Sequence, residues 1–259
     1  MLPLADTHVH LLAGLDDGPR TDDEALALCR MLVAEGVRSA TALAHQNPGF
    51  PDNTPERIRA AVVHLAAALR EKDVPLTVYP TAEVMLGSDT VSDWKAGRLQ
   101  SVGGHGKYLL AEMPHGVFLD PRQTAAALKP LGVRLILAHA ERYDPLLHDP
   151  ALTAECITAG CLIQVTAEAF TEFSDRDAAA LKAWANRGMI HLLGTDGHRL
   201  DRRPPRMQAG YRVLQRWVGE AAAERIGGIW GGAVLQGMRV QPPPPKPPTR
   251  NWFTRLFGS

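Results

Sequence analysis

The sequence predicts an α/β protein folded as a distorted barrel of seven parallel strands with crossover helices. Short β-like runs alternate with helical stretches along most of the chain, the pattern of parallel strands joined by helices. His10, His45, Glu83, Glu112, His139 and Asp196 each fall at or near the C-terminal end of such a run. In a βα-barrel those ends converge on one mouth where active sites gather, whereas an open sheet spreads them along an edge. Seven visible strands instead of the usual eight make the barrel a distorted one.

The elements follow in chain order. The apolar lead-in "LPLA" before "DTHVH" reads as the first strand. "TDDEALALCRMLVAEG" opens with capping-box spacing, Thr21 to Glu24, and stops at Gly36, as a helix should. "VRSATALAH" is the second strand. In "TPERIRAAVVHLAAALREK", Thr54 is the expected N-cap and Pro55 the first helical residue, where proline's missing N–H costs nothing. "LTVYPTAEV", "KYLLAEM", "VRLILAH", "CLIQVT" and "MIHLLGTD" are the remaining strands, with helices expected near 121–131, 150–159, 174–187 and 205–225. Composition changes after Val240, so the expected organisation is a barrel domain at 1–240 followed by a tail at 241–259. Within the tail, "QPPPPKPP" is suited only to a stiff polyproline spacer. "TRNWFTRLFGS" sets Trp252, Phe253, Leu256 and Phe257 beside two arginines, which reads either as a weak membrane-surface or partner-docking element or as an inert end.

Composition narrows the function. Lys plus Arg and Asp plus Glu both number 28, for a net charge of zero. That disfavours nucleic-acid binding through bulk positive charge. No stretch is long and apolar enough to span a membrane, and "MLPLADTHVH" lacks the basic and apolar regions of a signal peptide. Cys29, Cys156 and Cys161 form neither a CxxC pair nor a disulfide framework, so the expected compartment is the reducing cytoplasm. A cysteine phosphatase needs Arg six places after its Cys; those places hold Glu35, Leu162 and Ala167. A GxSxG elbow and a GxxxxGK[ST] phosphate loop are likewise missing from the sequence.

His8 and His10 lie two apart, so on a strand they share one face. With Asp17, His45, Glu83, Glu112, His139, Asp196 and His198 they make five imidazoles and four carboxylates near strand ends. Taken singly, Asp17 fits a turn in "GLDDG" and Glu83 a surface ion pair. Together they exceed the four ligands of one tetrahedral zinc. Shared between two or three ions, the mixed nitrogen and oxygen donors without thiolate suit Mn²⁺, Fe or Zn²⁺. His64, His105, His115, His148 and His191 read as structural or surface residues, and Trp184 and Trp217 as helix-packing aromatics.

"DTHVHLLAGLDDG", "YLLAEMP", "AHAERY" and "TDGHRLDRRPP" together resemble the PHP (polymerase and histidinol phosphatase) superfamily, and more closely its bacterial capsule-type protein-tyrosine phosphatases. The resemblance runs from about residue 5 to 210. It implies a distorted TIM-like (β/α)7 barrel with a site for three divalent transition-metal ions, manganese first, with iron or zinc as options. It implies that His8, His10, Asp17, His45, Glu83, Glu112, His139, Asp196 and His198 are the ligands, and that Arg142 and Arg203 hold phosphate. Asp16 has no ligand role in it. Gln46 stands where the family usually has a second histidine of a Thr-Pro-His-His run, so no general acid is identified. The implied partner is a tyrosine-phosphorylated kinase or chain-length regulator of exopolysaccharide synthesis. Three other functions compete: a small-molecule phosphoesterase such as one cleaving histidinol phosphate, a nuclease of the same superfamily, and a non-catalytic scaffold with a structural metal.

Overall fold

A computed structural model describes residues 2–247; the aromatic residues of the C-terminal tail, Trp252, Phe253 and Phe257, and Leu256 lie outside them. The strands are β1 (Leu4–Asp6), β2 (Val37–Gln46), β3 (Thr77–Met85), β4 (Tyr108–Glu112), β5 (Arg134–Leu137), β6 (Leu162–Thr166) and β7 (Leu192–Gly194). They pair in parallel in sequence order. β7 closes on β1 through Thr7 N–H to Leu193 O at 3.2 Å and Asp196 N–H to His8 O at 2.7 Å. The result is a nearly closed barrel, as expected.

The helices are α1 (Asp22–Ala34), α2 (Pro55–Glu71), α3 (Thr90–Lys95), α4 (Pro121–Leu128), α5 (Asp144–Leu147), α6 (Pro150–Ala159), α7 (Ala169–Glu172), α8 (Asp175–Asn186), α9 (Gln208–Val218), α10 (Glu220–Glu224) and α11 (Trp230–Leu235). Thr21 and Thr54 cap α1 and α2 by accepting the amides of Glu24 and Arg57. Glu24 completes no reciprocal box; its carboxylate accepts the Arg20 amide instead. The helical stretch expected at 205–225 is broken at Gly219, whose φ of 82° ends α9 and starts α10. The short helices α3, α5, α7 and α11 carry too little periodic signal for the sequence to declare them.

The strands bury both faces. Leu109, Ala111, Leu135, Leu137, Ile163, Val165 and Leu193 point outward into the shell of helices. Ala5, Leu43, Leu110, Ile136, Leu162 and Leu192 point into the lumen, where Val234 and Leu235 of α11 and then Val240 plug the lower end. Because side chains alternate with period two, the position two residues beyond a lumen-facing apolar residue also faces the lumen, one layer higher. Those positions are His45 after Leu43, Glu112 after Leu110 and Gln164 after Leu162. The barrel is thus apolar below and polar at its C-terminal mouth. After Val240 the Pro-rich segment runs without regular structure to Lys246, whose amide and carbonyl both bond Arg187, at 2.8 and 2.9 Å.

Candidate metal centre

The structure brings all nine sequence-predicted ligand candidates together at the mouth. Four groups have donor atoms within 4.8 Å of one another: His10, Asp17, His45 and His198; His8, Glu83 and His139; His8, His10 and Asp196; His45, Glu83 and Glu112. His8, His10, His45 and Glu83 each belong to two groups. Register places two of the shared residues side by side: His45 is the direct neighbour of Glu83 across the β2–β3 ladder. His139 and Asp196 stand just beyond their strands with φ of 32° and 53°. That left-handed geometry is uncommon for non-glycine residues and costs of order 1–3 kcal/mol. It bends the chain sharply where these two side chains enter the lumen.

The donor set fits metal cations. His8 Nε2, His10 Nε2 and His45 Nδ1 face the cluster carboxylates and are buried without a hydrogen-bond partner, a state that costs free energy unless something else binds them; His139 faces it through Nε2, 2.9 Å from Glu83 Oε1. The opposite nitrogens of two of these rings are held: His8 Nδ1 donates to Gln164 Oε1 at 2.9 Å and His10 Nδ1 to Asp16 Oδ2 at 2.7 Å. Such outer contacts aim a lone pair inward. The electrostatics point the same way. Burial works against a charged imidazole, yet Asp16 and then Glu83 push His10 up to about 9. Asp17, Glu112 and Glu83 likewise outweigh burial at His45 and push it up to about 11. Burial would raise the Glu83 carboxyl, but His8, His10 and His139 hold it well below the usual range. The cluster attracts positive charge strongly.

Arg142 and Arg203 meet at the rim, where both guanidinium groups bond Asp196 Oδ2, Arg142 at 2.5 Å. Arg142 closes a 3₁₀ turn that follows His139. Arg203 is carried by a tight loop in which its carbonyl accepts from His198 N–H at 2.9 Å and its own amide donates to Arg199 O at 3.0 Å. Both side chains are 38–39% exposed, and Asp17 is 58% exposed, so the site opens at the surface. A cavity of about 310 Å³ adjoins Asp17 and His198 and is bordered by Arg20, Arg199, Arg202 and Arg203. A larger one of about 560 Å³ lies alongside, between Phe50, Met85 and Leu99. The Phe50 ring stacks on His45 at 5.6 Å, nearly parallel.

Several positioning residues escaped the sequence reading. Asp16 receives His10 and also the His45 amide at 3.0 Å; next to Asp17 in the chain, it had nothing to mark it. Asp6 accepts the amides of His8 and Thr195 and the Thr195 hydroxyl, tying β1 to β7. Gln164 binds His8, the His139 amide and Thr7; a lone amide inside the apolar run "CLIQVT" was a usable signal. Gln46 faces the other way. Its amide donates to Asn53 O and Arg98 O and accepts from Gln100 N–H, so it pins loops and does not reach the cluster.

Of the remaining histidines, His64 pairs with Asp22 on the surface, His115 is exposed and His148 pairs with Asp177. His191 is buried, its Nδ1 accepting the Ile163 amide at 2.9 Å. Cys29, Cys156 and Cys161 are buried free thiols.

Residues 4–235 match the family described as "Capsular polysaccharide synthesis, CpsB/CapC". The chain is similar to the tyrosine-protein phosphatase CpsB of Streptococcus pneumoniae, 24% identical over 229 residues that cover 86% of this chain and 94% of the relative. It is also similar to the tyrosine-protein phosphatase YwqE of Bacillus subtilis (strain 168), 26% identical over 260 residues that cover 98% and 99%. Among solved structures it resembles one from a study of YwqE and CpsB as unique metal-dependent tyrosine phosphatases, with TM-score 0.86, 25% identity and coverage of 95% and 100%. A mutant organophosphorus hydrolase from Deinococcus radiodurans shares the fold alone, at TM-score 0.56 and 16% identity over 90% of this chain and 93% of that one.

Proposed function

Since the chain belongs to the CpsB/CapC family of capsular polysaccharide synthesis, we infer that it is a metal-dependent protein-tyrosine phosphatase acting in that process. The observation that carries this reading is the convergence of nine nitrogen and oxygen donors with two arginines on one open mouth.

The residues that would hold the metals are His8, His10, Asp17, His45, Glu83, Glu112, His139, Asp196 and His198. Three ions are the number the family resemblance implies, and the sharing of four residues between donor groups suits ions that lie side by side. Manganese, iron or zinc fits the thiolate-free set. When bound, divalent ions supply Lewis acidity toward phosphoryl oxygens and acidify a water at neutral pH. Arg142 and Arg203 hold the non-bridging oxygens and neutralise charge that grows in the transition state, a task their planar forks suit. Tyrosine's reference pKa of about 10 lets the phenolate depart more easily than an alkoxide, so cleavage leans less on a proton donor. Arg20, Arg199 and Arg202 extend the positive rim beyond Arg203. With Asp17 more than half exposed, the site is open enough for a phosphotyrosine carried on a protein surface. The partner that the family resemblance implies is a tyrosine-phosphorylated kinase or chain-length regulator of polysaccharide synthesis, met in the cytoplasm. In this reading the catalytic unit is residues 1–240, and residues 241–259 are dispensable for turnover.

Turnover of a phosphotyrosyl peptide, histidinol phosphate and an oligonucleotide, each with and without added metal, tests this. The peptide should be preferred and chelation should abolish its cleavage. Faster turnover of histidinol phosphate would sink the phosphoprotein reading. Arg142→Ala and Arg203→Ala should each lower kcat/KM about ten- to hundredfold, as loss of a charge-assisted contact does, for phosphotyrosyl and phosphoseryl peptides alike.

A further inference from the structure

A second cavity, about 450 Å³, opens at the opposite end of the barrel. It lies where Lys107, Val133 and Gly160 lead into β4, β5 and β6. Five residue steps along β4 separate Lys107 at that end from Glu112, a span of about 16 Å at the usual strand rise. The lining includes Lys107, Lys129, Arg134 and Arg239 and no aspartate or glutamate. Among the described residues none of these four cations takes part in an ion pair. In a chain of zero net charge that is a strong local excess.

Arg134 is pinned in place. Its Nε donates to Gly160 O at 2.8 Å and its Nη1 to Val240 O at 2.7 Å. Burial lowers its pKa and nearby Arg239 lowers it further; the counteracting groups are the Tyr108 hydroxyl and the Cys161 thiol, not a carboxylate. A partly buried guanidinium beside a second cation is destabilising unless an anion joins them. Tyr108, Ala125, Val133 and Val240 supply apolar walls, and the volume falls within the range of small-ligand sites.

We propose that this lower cavity binds a phosphate group, separately from the metal centre. Arg134 and Arg239 would grip it, Lys107 and Lys129 would balance its charge, and the apolar wall would seat the body that carries it. That chemistry belongs to soluble phosphates and to anionic lipid headgroups alike.

Hydrogen–deuterium exchange on the full-length, metal-loaded protein reads the two ends of the barrel separately. The probes are inorganic phosphate and vesicles of phosphatidylglycerol, with phosphatidylcholine vesicles as control. Segments 106–109, 132–135 and 237–241 should become protected. Protection by phosphate alone identifies a soluble ligand; protection by phosphatidylglycerol alone identifies a lipid headgroup. The double variant Lys129→Gln/Arg239→Gln spares the backbone bonds of Arg134. It should weaken that protection at least tenfold in ligand concentration and leave phosphotyrosyl turnover unchanged. No protection with either probe, or protection undiminished in the double variant, overturns the proposal.

Discussion

Asp16 shows how much a single carboxylate beside a metal centre controls. It fixes which nitrogen of His10 carries the proton and, through the His45 amide, where β2 ends. Asp16→Asn keeps the shape but weakens the acceptor, and metal affinity should fall about 10–100-fold, the usual cost of losing such a contact. Metal titration of the apoprotein measures it, with activity returning at high metal concentration. His191 tests a different residue property. Burial, and then Arg134, depress its pKa to about 3, against about 6.5 when unfolded. Between those values the unfolded chain binds one more proton than the folded one, so stability rises with pH in that window and is lost on acidification. The slope is about 1.4 kcal/mol per pH unit. His191→Asn keeps an acceptor for the Ile163 amide and cannot titrate. Its stability, followed by denaturant unfolding from pH 6.5 to 5, should fall by about 2 kcal/mol less than that of the wild type.

At the scale of elements, β2 and β4 carry core and site on the same face. Leu43 fills the lumen and His45, two residues on, reaches the mouth; Gln46 must then face outward, where it holds the loops. A one-residue slip of β2 would exchange the roles of His45 and Gln46. Close packing of α9 on the end of β6 imposes another constraint. A Cβ on Gly210 would lie 1.9 Å from Ala167 O, which backbone cannot yield without moving α9. Gly210→Ala should therefore destabilise by at least the 1–3 kcal/mol typical of overpacking, read as a lower Tm, despite alanine's better helix propensity.

The whole molecule places four carboxylates and five histidines over an apolar lumen, so metal binding there should be coupled to stability. A cation held at 100 times its Kd stabilises by about 2.7 kcal/mol. Exhaustive chelation should therefore abolish phosphatase activity and lower Tm together, and restoring metal should recover both. An unchanged Tm alongside lost activity would place the ions at the rim, not in the cluster. The Pro-rich strap lies far from this mouth, clasped to Arg187 below α8. Deleting 241–259 should leave turnover of para-nitrophenyl phosphate unchanged; a large loss would make the tail part of the catalytic domain.

The sequence by itself determined the seven parallel strands of a barrel, the caps at Thr21 and Thr54, and the residues that gather at the mouth. These follow from local rules: period-two burial, N-cap chemistry, and the convergence of strand ends in a parallel barrel. A likeness spread over several motifs, not spacing alone, distinguished Asp17 from Asp16 and pointed to phosphotyrosine. Tertiary structure alone decided which donors share a neighbour, that Asp16, Asp6 and Gln164 orient the histidines, and that Gln46 turns away. It also placed Lys107, Lys129, Arg134 and Arg239 around one cavity. Those groupings join residues up to 190 positions apart, as His8 and His198 are through His10. Donor geometry and charge compensation depend on distances of a few ångströms between strands, and nothing local in the chain encodes them.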